Sequence, residues 1–162
     1  DTRAELVDLH RRIDSTFIYV THDQVEAMTM GTRVAILDHG RLQQVGTPQE
    51  VYDRPATAFV AQFIGTPPMN LLPPGMLGTE DVRVGIRPEH LQLVPGGSLH
   101  AVVRQVEHLG HEVILIADAN GTRLIARLSP DSFIPEVGDP VAFDADPGRL
   151  HRFDATTGER VQ

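Results

Sequence analysis

Near the start of the chain, apolar residues recur as Leu6, Leu9 and Ile13, the spacing of one helical face. The run Thr16-Phe17-Ile18-Tyr19-Val20 is then almost continuously apolar and β-rich, which predicts a strand buried on both faces of a parallel sheet. After Thr21-His22-Asp23 the spacing turns helical again, with Val25, Met28 and Thr29 on one face and Gly31 as the stop. A buried strand flanked by helices predicts a βα unit.

Residues 33–37 and 42–45 read as two strands, and the turn chemistry of Asp38-His39-Gly40-Arg41 between them predicts a hairpin. Thr47 is a good N-cap, with Pro48 in the first turn and Glu50 three residues on, so a short helix is expected over 47–52. Pro55 ends it, and 58–64 forms another helix. Proline and glycine then concentrate between Gly65 and Gly75, which favours an extended connection and sets the expected domain boundary: 1–65, then 66–162. Beyond it come short β segments at 82–86, 91–94, 101–106, 113–117, 123–128 and 141–145, with turns at Ala119-Asn120-Gly121 and Pro147-Gly148. Regularly spaced strands without intervening helices predict a small antiparallel barrel or sandwich, with an OB-like barrel the natural candidate. The fold class expected is therefore an α/β piece followed by an all-β barrel.

Composition narrows the function. With 22 acidic against 14 basic residues the net charge is −8, and only 5% of residues are aromatic, which argues against a nucleic-acid partner. Every basic residue is arginine, so a lysine nucleophile or a phosphate-loop lysine is excluded within these residues. Cysteine is absent too, which removes disulfides and thiolate chemistry and is compatible with a reducing compartment. No stretch approaches the roughly 20 apolar residues that span a bilayer, and the opening Asp1-Thr2-Arg3 is charged and lacks an initiator Met, so residue 1 reads as a cut point.

The most informative stretch is the expected strand followed by Thr21-His22-Asp23 and a helix. It aims His22 at the carboxyl end of a parallel sheet, where open α/β sheets bind ligands and where a helix N-terminus favours anions. Taken from spacing alone, His22 reads either as an ordinary loop residue or as a phosphate contact. The wording of the chain adds more. TFIYVTHDQVEAMTM followed by RVAILDHGRLQQVGTPQEVYDRPATAFVAQFIGTPPMN resembles the end of the ATP-binding subunit of maltose-type ABC importers. VRVGIRPEHLQLV, VEHLGHEVIL and RLHRFDATTGERV resemble the regulatory OB-type TOBE domain that follows it.

This resemblance implies that residues 1–65 are the last part of an ABC nucleotide-binding domain and 66–162 an abbreviated TOBE domain. It makes His22 the switch histidine that contacts the ATP γ-phosphate in the intact subunit, with Asp23 as a local cap or orienter. It further implies ATP and Mg²⁺ as cofactors, a second ATPase subunit as dimer partner, membrane-spanning permeases, and a solute-binding protein met indirectly. The location implied is peripheral, on the cytoplasmic face of the membrane, in uptake of sugars or related solutes. No G-x-x-x-x-G-K-[ST] loop occurs, nor the signature and Asp-Glu strand, so the chain alone is expected to be inactive while its parent is an ATPase.

Two departures stand out. Only 71–81 separates Met69-Asn70 from VRVGIRPEH, where the family usually has more, and Gly31-Thr32 replaces the usual Ala-Asp. The competing reading is a non-catalytic regulatory or ligand-sensing OB module, with the α/β piece as scaffold. In Gly85-Ile86-Arg87-Pro88-Glu89-His90 a strand runs into a turn, with Arg87 and Glu89 expected to be solvated or paired. His108 and His111, even with Glu107 or Glu112, make a poor metal set, and Asp118 and Asp131 read as solvated loop acids.

Overall fold

A computed structural model describes residues 2–13, 15–77 and 80–161. The chain divides by packing into two compact units, 1–56 and 57–162.

In the first unit, α1 (Thr2–Ile13) and α2 (Gln24–Met30) are followed by the hairpin β1 (Val34–Asp38) and β2 (Arg41–Gly46) and by α3 (Pro48–Asp53). The hairpin pairs Asp38 with Arg41 across His39 and Gly40, whose φ angles of 47° and 76° give the primed turn that matches strand twist. The start of α3 carries the anticipated capping box: Thr47 Oγ1 accepts from the Glu50 amide, and the Glu50 carboxylate accepts from the Thr47 amide. Gln44 ties the end of the unit to β2, donating to Arg54 O at 3.0 Å and accepting from the Ala56 amide at 2.7 Å.

The buried strand expected over 16–20 does not form. That segment lies outside any strand, and Ile18 and Val20 are 91% and 89% exposed. A strand buried on both faces needs neighbours on both edges, and among the described residues the only ladder in this unit is β1 with β2. The parallel α/β sheet is therefore absent from the described structure.

The second unit opens with α4 (Ala58–Phe63) and then holds β3 (Asn70–Leu72), β4 (Val82–Ile86), β5 (Leu91–Leu93), β6 (Leu99–His108), β7 (Val113–Ala119), β8 (Thr122–Leu128), β9 (Pro140–Ala145) and β10 (His151–Asp154). All six β segments anticipated here are present. The connection over 65–75 is not wholly irregular, because Asn70–Leu72 pairs with β4, and β10 on its other side was not foreseen. The strands form a three-stranded sheet in the order β10-β4-β3 and a five-stranded sheet in the order β5-β9-β6-β7-β8, all antiparallel. Both sheets feed one core: Leu72, Val84 and Ile86 from the first meet Leu115, Leu124 and Phe143 from the second, giving a nearly closed barrel.

The seam between the sheets is closed by a side chain. Asn70 is 4% exposed. Its Nδ2 donates to Ile86 O at 3.1 Å and Ile125 O at 2.8 Å, while its Oδ1 accepts from the Ile125 amide at 2.7 Å. The amide thus pairs with Ile125 as a neighbouring strand's peptide would.

Of the two expectations for Arg87, solvated or paired, the second holds, but in the interior: it is 1% exposed, and its Nη1 donates to the carbonyls of Ala61 and Ile64 at the end of α4. Helix-terminal carbonyls lack partners of their own and carry partial negative charge, so a guanidinium satisfies both needs. Gly85 just before it admits no side chain: a Cβ there would lie 2.5 Å from Met69 Sδ and 3.0 Å from Phe153 Cε2. The chain end closes on the same region, with the Ala58 amide bonded to Gly158 O and Asp154 Oδ1 accepting from the amides of Thr156 and Thr157.

Replacing Asn70 by Leu leaves the two carbonyls and the Ile125 amide without partners in the interior, at about 3 kcal/mol or more given the usual cost of an unsatisfied buried group. Denaturant unfolding of the second unit should show the midpoint fall with an unchanged slope. Asp154 gives a pH signature. The amides of Thr157 and Thr156, and then the Thr157 hydroxyl, hold its carboxyl below the ordinary 3.8. Its contribution is complete above that value and is lost as pH falls through the lower folded value. The melting-temperature gap between wild type and Asp154→Asn should therefore be constant near neutral pH and narrow under acid. A gap that does not change with pH would remove Asp154 from the acid response.

Candidate functional site

The segment between the apolar run and α2 is built by local hydrogen bonds. Asp23, extended at φ −86° and ψ 114°, caps α2, its Oδ1 accepting from the amides of Val25 at 2.8 Å and Glu26 at 3.2 Å. Thr21 Oγ1 accepts from the Asp23 amide at 2.9 Å and donates to Glu26 Oε2 at 2.6 Å, and Tyr19 donates its phenolic proton to the same oxygen at 3.2 Å. These bonds fix the backbone on both sides of His22. The imidazole is exposed and makes no hydrogen bond or ion pair among the described residues. Asp23 therefore has the role of cap anticipated for it.

The chemistry available at this point is limited and specific. Two amides at the start of α2 are already taken by Asp23, and the carboxylates of Asp23 and Glu26 stand nearby, so an anion finds no cradle of free amides or cations here. His22 can donate one hydrogen bond to a phosphate oxygen presented from outside. A single imidazole orients a phosphoryl group without enclosing it.

The other residues singled out in the sequence lie in the second unit and take structural places. His111 Nε2 lies 3.7 Å from Glu112 Oε1, while the other Glu112 oxygen pairs with Arg127 Nε at 2.8 Å. Asp118 accepts from the Gly121 amide in the β7–β8 turn and pairs with Arg104 at 3.4 Å. The Asp131 amide bonds Ser129 Oγ. No group of three or more His, Asp or Glu side chains suited to a metal occurs among the described residues. Sequence reasoning missed Asn70 and Arg87; the second lay inside a motif it recognised, but nothing local announces that its partners are carbonyls 23 and 26 residues away. Among the described residues no helix is long and apolar enough to cross a membrane.

Residues 84–153 match the TOBE domain family. Over 99% of its length the chain is 38% identical to the sn-glycerol-3-phosphate import ATP-binding protein of Cupriavidus pinatubonensis, covering 53% of that protein. It is 43% identical, over 98% of its length, to the trehalose/maltose import ATP-binding protein of Thermococcus litoralis, covering 52%. An uncharacterized ABC transporter ATP-binding protein of Sinorhizobium fredii is 40% identical over 98% of the chain and is covered to 49%.

The expected resemblance is borne out: the chain is similar, nearly from end to end, to the import ATP-binding proteins of ABC transporters. It spans about half the length of the curated relatives it matches. The alignment with the Cupriavidus protein extends over 198 residues against 162 here, so at least 36 of its positions have no counterpart in this chain.

Removing the cap tests the local construction. Asp23→Ala should cost α2 about 1 kcal/mol, the usual worth of an N-cap. Amide hydrogen exchange at Val25 and Glu26 should accelerate, while Asp23→Asn should largely retain the protection.

Proposed function

We propose that this chain is the C-terminal portion of the ATP-hydrolysing subunit of an ABC importer for sugars or related solutes. The observation that carries the reading is the placement of His22: a histidine held out by a capped helix start, in a chain similar over nearly all its length to import ATP-binding proteins. On this reading residues 1–65 complete a nucleotide-binding domain and 66–162 form the TOBE regulatory domain. The packing division between 56 and 57 then assigns α4 physically to the barrel side.

His22 donates to the γ-phosphate of ATP in the intact subunit, where charge redistributes as the phosphoryl group transfers. Such a donor acts by position and electrostatics, and no base role is assigned to it. The G-x-x-x-x-G-K-[ST] loop, whose lysine and hydroxyl serve the phosphates and Mg²⁺, does not occur in these residues, so on this reading the phosphate cradle belongs to the upstream half of the parent. The chain alone is accordingly inactive. The parent works as one of a pair of ATPase subunits on membrane-spanning permeases, peripheral on the cytoplasmic face, and meets the solute-binding protein only through them. The relatives' names differ in solute, so the reading stops at the class of sugars or related solutes.

The test is ATP hydrolysis by the full-length subunit with and without His22→Ala. Turnover should collapse by roughly a hundredfold or more, the scale of a lost transition-state donor, while nucleotide binding by equilibrium fluorescence persists. Turnover unaffected by the substitution removes His22 from the mechanism. A full-length subunit with no ATPase activity at all would favour the regulatory-module reading instead.

A further inference from the structure

Alternation along an antiparallel strand should leave the outer face of a small barrel polar. The outer face of β7 and β8 breaks that rule with isoleucines, of which Ile114 and Ile125 are only 5% and 7% exposed. Leu115 and Ala117 point into the core, so Ile114 and Ile116 of β7 point outward, and the register sets Ile125 of β8 directly opposite Ile116. The chain over 66–68 passes across this patch, held by Arg127, whose Nη2 donates to Thr66 O at 2.9 Å. Between that strap and the three isoleucines lies a cleft of about 280 Å³, walled by Pro67 and Pro68 and with Glu107 and Arg123 in its lining.

The charged groups in and around this cleft fall into two kinds. Glu112 is neutralised by Arg127, and Asp118 by Arg104. Glu107 accepts a hydrogen bond from Gln105 Nε2 at 2.6 Å but has no cation partner among the described residues. Arg123 is exposed and makes no ion pair among them; Asp118, directly opposite it across the β7–β8 ladder, pairs with Arg104 instead. Glu107 lies beside Ile114 in the row that ends at Arg127, and Arg123 sits four residues before Arg127 on the same strand. At the usual strand rise, Glu107 and Arg123, neither of them in an ion pair among the described residues, stand in rows about 13 Å apart along β8, with the isoleucine floor between them.

We propose that this cleft is a binding site for a small zwitterion with an apolar spacer, an ω-amino acid or a lysine-like group. Its ammonium meets Glu107, its methylene chain lies on Ile114, Ile116 and Ile125, and its carboxylate meets Arg123. An apolar floor with opposite, unpaired charges at its two ends matches such a ligand and no simple anion, cation or alcohol. The prolines of the wall carry no N–H, so the strap supplies no competing donor for the carboxylate. The proposal concerns the second unit only and does not depend on the ATPase reading.

The probe is ε-aminocaproate, with aminooctanoate as the longer zwitterion and hexylamine, hexanoate and hexanol as partial ligands. They are titrated into the full chain while the isoleucine methyl resonances are followed by NMR. We expect saturable shifts at the three isoleucines with affinity near millimolar, the scale for so few atoms. One zwitterion should bind at least fivefold more tightly than every partial ligand. Arg123→Gln and Glu107→Gln, both surface changes, should each weaken it about tenfold while leaving the methyl spectrum otherwise native. Equal affinity for hexanol would make the cleft a mere apolar patch and overturn the proposal. So would shifts that do not saturate, or binding unchanged in both variants.

Discussion

The second unit depends on the pairing of the Asn70 amide with Ile125. Two sheets that share a core still have edges, and an edge buried in a seam must have its N–H and C=O groups satisfied. β3 and β8 do not ladder together along the seam. One carboxamide does the work by donating to Ile125 O and accepting from the same residue's N–H, while its second proton reaches Ile86 O in the sheet it comes from. Aspartate lacks the donors and leucine lacks both functions, so the position is chemically narrow. Because β3 is pinned there, the residues just before it must cross the outer face of β8, where Arg127 takes Thr66 O. The strap and the cleft beneath it follow from the closure.

Arg87 is the companion constraint. Burying a guanidinium is costly unless it is well bonded. Here two carbonyls at the negative end of α4 receive it, and Met69, Gly85 and Phe153 fill the space around the same turn. The motif Gly85-Ile86-Arg87-Pro88 therefore works as a junction: glycine gives room for Met69 and Phe153, arginine anchors α4, and proline turns the chain toward β5. This explains why α4 packs with the barrel although the proline-rich stretch separates them in sequence. A linker composition does not make a linker when the residues on both sides of it are bonded to the same body.

What was legible in the sequence was local. The His39-Gly40 turn, the Thr47 capping box, the Asp23 cap and six β segments are specified by residues within a few positions of one another, and all appear. What failed needs distant partners. The run over 16–20 has the composition of a doubly buried strand, yet composition supplies no neighbouring strands, and the residues stand exposed. β3 and β10 are three and four residues long and are strands only because β4 lies between them. Asn70 and Ile125 are 55 residues apart, a separation no periodicity reports. Of the candidate site, Asp23 was legible because capping is local chemistry, while the phosphate role proposed for His22 comes from resemblance.

The surroundings of His22 also say what kind of part this chain can play. A phosphate cradle needs several donors converging on one anion. Here the capping aspartate consumes the first amides of α2, Glu26 gathers the hydroxyls of Thr21 and Tyr19, and the imidazole is left facing outward. That arrangement suits a single directional contact with a group held elsewhere, since its rigidity comes from bonds in which the imidazole takes no part. A histidine so placed can meet or leave a phosphate without disturbing the loop that carries it. The division of labour follows from the donor inventory of this loop: its residues supply orientation, and on the proposed reading charge neutralisation comes from cations outside it.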